Sequence, residues 1–75
     1  MINVVLIGAG KIAESFHIPA LKKLKLIKIV GIIDKDISKA KKLAEKYKIK
    51  YFSAKLNKIL NQTKVEVVDI CASND

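Results

Sequence analysis

The sequence predicts an α/β fold organised around a doubly wound parallel sheet, and three features lead there. Wholly aliphatic runs, Val4-Val5-Leu6-Ile7 and Ile29-Val30-Gly31-Ile32-Ile33, suit strands covered on both faces, the usual state of a parallel strand between helices. Segments with apolar residues near the helical period alternate with these runs. The first run passes directly into a glycine turn, Gly8-Ala9-Gly10, and from there into a helical pattern.

Residues 4–7 are the expected first strand. Without a Cβ, Gly8 takes the tight strand-to-helix bend and Gly10 lets the backbone approach a bulky anion. The amides from about Lys11 onward then belong to the first turn of a helix, where they lack intrahelical acceptors and the dipole favours negative charge. The spacing is Gly-x-Gly-x-x-Ala, with Ala13 at the close helix-strand contact where the commoner pattern has a third glycine. The implied ligand is a pyrophosphate; the alternative is an ordinary strand-turn-helix corner with no ligand.

Residues 11–24 carry apolar side chains at Ile12, Ala13, Phe16, Ala20, Leu21 and Leu24, close to the helical period. Pro19 disfavours helical geometry at Ile18 and removes a donor, which predicts a kink or restart between His17 and Pro19. His17 has no Cys, His or paired carboxylate at metal-ligand spacing, so packing or local capping is its expected role and a ligand contact the alternative. Residues 28–33 form a second buried strand in which Gly31 marks close approach of a neighbouring element. The strand ends on Asp34, about twenty residues beyond the glycine turn, where a carboxylate accepts hydrogen bonds from a ribose 2′-OH. Asp36 is the better placed of the two acids to cap the next helix.

That helix spans residues 37–47, with Ile37, Ala40, Leu43, Ala44 and Tyr47 on one face and Lys35, Lys39, Lys42 and Lys46 on the other. The lysine stripe is a solvated face first and a binding surface second. Residues 49–52 give a short third strand, and Ser53 is the expected cap of a helix carrying Leu56, Ile59 and Leu60. Residues 64–72 supply a fourth strand ahead of Ser73-Asn74-Asp75.

Such alternation with right-handed crossovers predicts about four strands in the order 3-2-1-4, an incomplete Rossmann-like sheet. Strands one and four are then neighbours. Their carboxyl ends flank the crevice where the winding direction reverses, which is where ligands bind in open α/β sheets. The candidate dinucleotide site is therefore Gly8, Ala9, Gly10, Lys11 and Ile12 opposite Ala72, Ser73 and Asn74, with Asp34 and Lys35 closing the second strand.

Composition narrows the field. Seventy-five residues make one small domain or part of a larger one, and such a chain buries only about 60 to 65% of its unfolded surface. The 51% hydrophobic fraction argues against disorder. The charge of +8 comes from 15 lysines against 7 acids, with no arginine and no aromatic residues interleaved with a basic cluster. This is a poor base for nucleic-acid recognition, which draws on arginine forks and stacking platforms. A lone cysteine, Cys71, excludes an internal disulfide and any Cys-cluster metal site. Aliphatic runs of four or five residues are too short to span a bilayer, and Met1-Ile2-Asn3 lacks a signal peptide's basic region, so a soluble cytoplasmic protein is expected.

Five pieces in this order and spacing resemble the N-terminal Rossmann domain of the Gfo/Idh/MocA oxidoreductases, a family that includes glucose-fructose oxidoreductase and inositol dehydrogenases. They are Gly8-Ala9-Gly10-Lys11-Ile12-Ala13, His17-Ile18-Pro19-Ala20-Leu21, Val30-Gly31-Ile32-Ile33-Asp34-Lys35-Asp36, Lys39-Ala40 through Leu43-Ala44-Glu45-Lys46-Tyr47, and Val67-Val68-Asp69-Ile70-Cys71. The resemblance covers nearly the whole chain. It implies an NAD(P)-dependent enzyme that transfers hydride to or from sugars, cyclitols or related small molecules. Gly8, Gly10, Lys11, Ile12 and Asp34 would contact the cofactor. The family's Thr-Pro-Asn segment at the end of the fourth strand corresponds to Ala72, Ser73 and Asn74, where only the asparagine matches. Its catalytic lysine, in a Glu-Lys-Pro segment, and its substrate domain have no counterpart, so no catalytic residue is assigned and a fragment of a longer enzyme is expected. Asp34 favours the free 2′-OH of NAD over the 2′-phosphate of NADP, while Lys35 and Lys39 soften that repulsion.

Two other readings compete. One is a non-enzymatic dinucleotide-binding or interaction module complete at this length, which would cover the exposed edge of the fourth strand by forming a homo-oligomer. The other is a glycine turn serving S-adenosylmethionine, which the Ala13 spacing and the His17-to-Leu21 segment disfavour.

Overall fold

The computed structural model describes residues 1–71. Four strands, β1 (Ile2–Ile7), β2 (Ile27–Ile33), β3 (Tyr51–Ser53) and β4 (Val67–Ile70), form one sheet in the order β3-β2-β1-β4. Every pair is parallel, as the expected 3-2-1-4 winding requires. The first crossover is a π-helical turn (Ala13–His17) running into α1 (Ile18–Lys22); α2 (Ile37–Tyr47) and α3 (Leu56–Leu60) make the other two.

β1 begins earlier than its aliphatic run, because Ile2 and Asn3 pair with Ile27 and Lys28. The expected break around Pro19 takes the form of the π-helical turn. The Ile18 N–H reaches back to the Ala13 carbonyl, and Pro19, which has no N–H to donate, enters at the start of α1. Lys48 adopts a left-handed conformation (φ 57°) and ends α2, and the Ile49 N–H folds back to the Ala44 carbonyl at 2.8 Å. Ile49 is therefore a buried anchor, and the third strand is Tyr51–Ser53 instead of residues 49–52. Ser53 does not cap α3; its hydroxyl accepts the Lys55 N–H at 3.1 Å one turn earlier. Asp36 does cap α2, its Oδ1 accepting the Ser38 N–H at 3.1 Å. Ile37, placed by periodicity on the apolar face of α2, is 52% exposed.

Each face of the sheet has its own core. Val4, Leu6 and Ile32 pack with Ala13, Ile18, Ala40, Leu43 and Ala44 beneath the first crossover and α2. Val5, Val30 and Ile33 pack with Ile59 of α3 on the opposite face. Gly31 is where α3 comes closest: a Cβ there would lie 2.7 Å from Ile59 Cδ1. Burying each large aliphatic side chain contributes about 1.5 to 3 kcal/mol, and these clusters set the height of the strand ends that carry the site. Among the described residues, no helix is long and apolar enough to cross a membrane.

Candidate functional site

Three strand ends meet at the glycine turn. The Gly8 N–H donates to the Ile33 carbonyl at 2.6 Å and the Cys71 N–H to the Ile7 carbonyl at 2.8 Å, so the turn is pinned between β2 and the end of β4. Gly8 has φ +107°, a region L side chains rarely adopt, and a Cβ would sit 2.8 Å from the Cys71 carbonyl oxygen. Gly8 is thus demanded twice by the protein itself. Gly10 is not: a Cβ there would meet nothing within 4 Å. The space above Gly10 opens to a cleft, and the first helical bond runs from the Glu14 N–H to the Gly10 carbonyl at 3.1 Å. The amides of Lys11, Ile12 and Ala13 precede that bond and have no intrahelical acceptor, which suits an anion. Ala13 is fully buried, as its place in the motif requires.

Asp34 stands at the carboxyl end of β2 and ties the turn to it. Its Oδ2 accepts the Ala9 N–H at 2.8 Å and its Oδ1 the Asp36 N–H at 2.9 Å. The Ala9 amide is therefore committed to Asp34 and not free for a ligand, while each carboxylate oxygen retains acceptor capacity toward the cleft.

The cleft has a volume of about 1140 Å³, somewhat above the roughly 300 to 1,000 Å³ of most small-molecule sites. Gly8, Gly10, Lys11, Ile12, Asp34 and Lys35 all line it, so six of the sequence-derived candidates come together. Lys39, one turn into α2, joins them, so three lysines and one aspartate line the cleft. Ala72, Ser73 and Asn74 lie outside the described residues. Ile70 and Cys71 from β4, and Ala54 and Leu56 after β3, also line the cleft without having been singled out from the sequence. Strand order alone could have found them, since the residues after each strand end face the same crevice.

Behind the β4 wall, His17 Nδ1 lies 2.8 Å from Asp69 Oδ2, both side chains about 30% exposed. Burial pushes the Cys71 thiol up to about 12, the Asp69 charge adding to the shift, so Cys71 is a neutral thiol rather than a ready nucleophile. On the far side of the helical layer, Glu14 accepts hydrogen bonds from Lys46 and Tyr47. These hold its carboxyl below the ordinary value of 4.5, Lys46 contributing most.

With this geometry in place, the chain matches, over residues 2–75, the oxidoreductase family with an NAD-binding Rossmann fold designated Gfo/Idh/MocA. The chain belongs to this family. A 3-ketoreductase from Actinomadura kijaniata, solved with TDP-benzene and NADP, is 25% identical and superposes with a TM-score of 0.75 over 89% of this chain and 20% of its own. An oxidoreductase from Agrobacterium radiobacter, solved with NAD+, L-tartaric acid and magnesium, is 22% identical, with a TM-score of 0.80 over 96% of this chain and 21% of its own. Myo-inositol 2-dehydrogenase from Lactobacillus plantarum shares the fold at 14% identity, with a TM-score of 0.78 over 96% of this chain and 21% of its own. No curated protein matches the chain. The chain thus spans about a fifth of the length of these structures and corresponds to the Rossmann domain of the Gfo/Idh/MocA enzymes.

Proposed function

We propose that this Gfo/Idh/MocA chain is the N-terminal, cofactor-holding part of an oxidoreductase that transfers hydride between a nicotinamide dinucleotide and a sugar, cyclitol or related small molecule. The observation that carries the reading is the contrast at the glycine turn: Gly8 is locked against the Cys71 carbonyl, whereas Gly10 faces open cleft next to the Lys11, Ile12 and Ala13 amides, which precede the first helical hydrogen bond. A turn built only as a corner needs the first glycine and not the second.

When bound, the dinucleotide supplies a hydride donor or acceptor. The residues of this chain hold and orient it. The amides of Lys11 and Ile12 receive the pyrophosphate, and the Lys11 ammonium adds charge at the mouth. Asp34 accepts from the adenosine ribose, and by doing so disfavours a 2′-phosphate; the preference is for NAD. Lys35 and Lys39 keep the discrimination modest, consistent with the mixed charge of the cleft. The catalytic groups and the substrate domain lie outside these residues, so the small-molecule substrate is met by other parts of the enzyme.

Calorimetric titration of the chain with NAD, NADP and S-adenosylmethionine tests the proposal. Binding of NAD ahead of NADP, with no S-adenosylmethionine binding, is the expected result. No dinucleotide binding at millimolar ligand would overturn it, and tighter NADP binding would overturn the role given to Asp34.

A further inference from the structure

Asp69 and Cys71 are two apart at the end of β4, so both side chains project to the face covered by the first crossover. His17, the last residue of the π-helical turn, comes down on that face although it is 52 residues from Asp69 in sequence. One ligand atom from each of His17, Asp69 and Cys71 lies within 4.8 Å of the others. We propose that these three side chains form a binding site for a zinc-class divalent cation, held by His17 Nδ1, Asp69 Oδ2 and the Cys71 thiolate, with water in the fourth position.

The donor set is the one such ions take: imidazole, carboxylate and thiolate serve zinc and cobalt, while magnesium and calcium call for oxygen alone. Ligand bonds of about 2.0 to 2.3 Å in a tetrahedron place donor atoms roughly 3.3 to 3.7 Å apart. The cluster spans up to 4.8 Å, about 1 Å more than this, and the 2.8 Å contact between His17 and Asp69 is about 0.5 Å tighter. Small rotamer adjustments close the difference, with the ion replacing the shared proton of that contact and the thiol proton. Cys71 is buried while His17 and Asp69 are partly exposed, so the cluster lies between the core and solvent. Since the Cys71 carbonyl abuts Gly8, an ion here would fasten the β4 wall of the cleft to the helix that starts at the glycine turn.

The test is cobalt titration of the full chain under reducing conditions, followed by zinc competition. Saturation at one cobalt per chain is expected, with a thiolate-to-cobalt charge-transfer band and the visible absorption of a tetrahedral site, both abolished by zinc. X-ray absorption of the zinc-loaded wild type should show one sulfur at about 2.3 Å beside nitrogen and oxygen ligands. Cys71→Ser should lose the charge-transfer band. His17→Gln, which retains a donor for Asp69 and so the structural contact, should bind cobalt at least about tenfold more weakly. A wild-type spectrum without the charge-transfer band, a zinc shell without sulfur, or wild-type affinity in His17→Gln would each overturn the proposal.

Discussion

The β2 wall of the cleft and its β4 wall are held by different forces. On the β2 side the ladder with β1 runs from Ile2 to Ile7, and the Asp34 carboxylate gathers the amides of Ala9 and Asp36. On the β4 side the ladder covers Val4 to Ile7, the outer edge is unpaired among the described residues, and Val67, Val68 and Ile70 are 45%, 39% and 65% exposed. Besides its ladder, β4 is held by the Glu66 N–H to the Asn3 carbonyl at its start, by the Cys71 N–H to the Ile7 carbonyl at its end, and by the contact from His17 to Asp69. The half of the cleft that carries Asp34, the proposed ribose acceptor, therefore has the longer ladder and a carboxylate clamp. The half that completes the crevice rests on a short, apolar edge strand of the kind proteins ordinarily cover.

Gly8→Ala strikes both walls and should do the most damage. The strained backbone and the clash with the Cys71 carbonyl together cost about 2 to 4 kcal/mol, read as a fall in thermal or denaturant midpoint, with dinucleotide binding lost. Gly10→Ala sharpens the contrast. With nothing near its Cβ and no positive φ, stability should stay within about 1 kcal/mol of wild type while dinucleotide affinity falls at least about tenfold by calorimetry. Equal loss of stability at both glycines would refute the division between a structural and a ligand-facing glycine.

Asp34→Asn tests the β2 wall alone. NAD affinity should drop about 10- to 100-fold, as for loss of a charge-assisted hydrogen bond, and the NAD-to-NADP ratio should move toward NADP. An unchanged ratio would remove Asp34 from cofactor selection. Asp36→Ala, which strips the cap from α2, should lower the thermal midpoint by about 3 to 6 °C with little change in NAD affinity.

The smallest effect is a dependence on acid. Glu14 is held below its ordinary 4.5, mainly by the hydrogen bond from Lys46, and Asp36 below its ordinary 3.8, mainly by that from the Ser38 hydroxyl. Groups depressed on folding stabilise the native state above their unfolded values. That contribution is lost as the pH falls from about 4.5 through the lower folded values. Thermal midpoints measured from pH 6 to pH 3 should therefore decline, and Glu14→Gln should show a shallower decline. Asp36 is exposed and Glu14 half-buried at the surface, where solvent screens such pairs, so each contribution is small.

Much of the fold was legible because its signals are local. Aliphatic runs, a proline and two glycines marked the element order, Asp36 announced the start of α2, and Gly31 announced the approach of α3. Misplaced edges arose where one residue's backbone choice outweighed the pattern. Lys48 turned left-handed and took Ile49 out of the third strand, and Ser53 spent its hydroxyl on a turn before α3. Ile37 has the helical period and still faces solvent, because a hydrophobic spacing names a face without saying how far the neighbouring sheet extends.

The sequence by itself determined the winding order, the glycine turn and the acid at the end of the second strand, since strand, turn and helix preferences act over a few residues. Only the tertiary structure decided what lies opposite the two glycines. Whether a missing Cβ relieves a clash or leaves space depends on what lies opposite, and opposite Gly8 is a carbonyl more than sixty residues away in the chain. The same holds for His17, Asp69 and Cys71. Strand alternation aligns the last two, but only the packing of the first crossover onto β4 brings the imidazole to them.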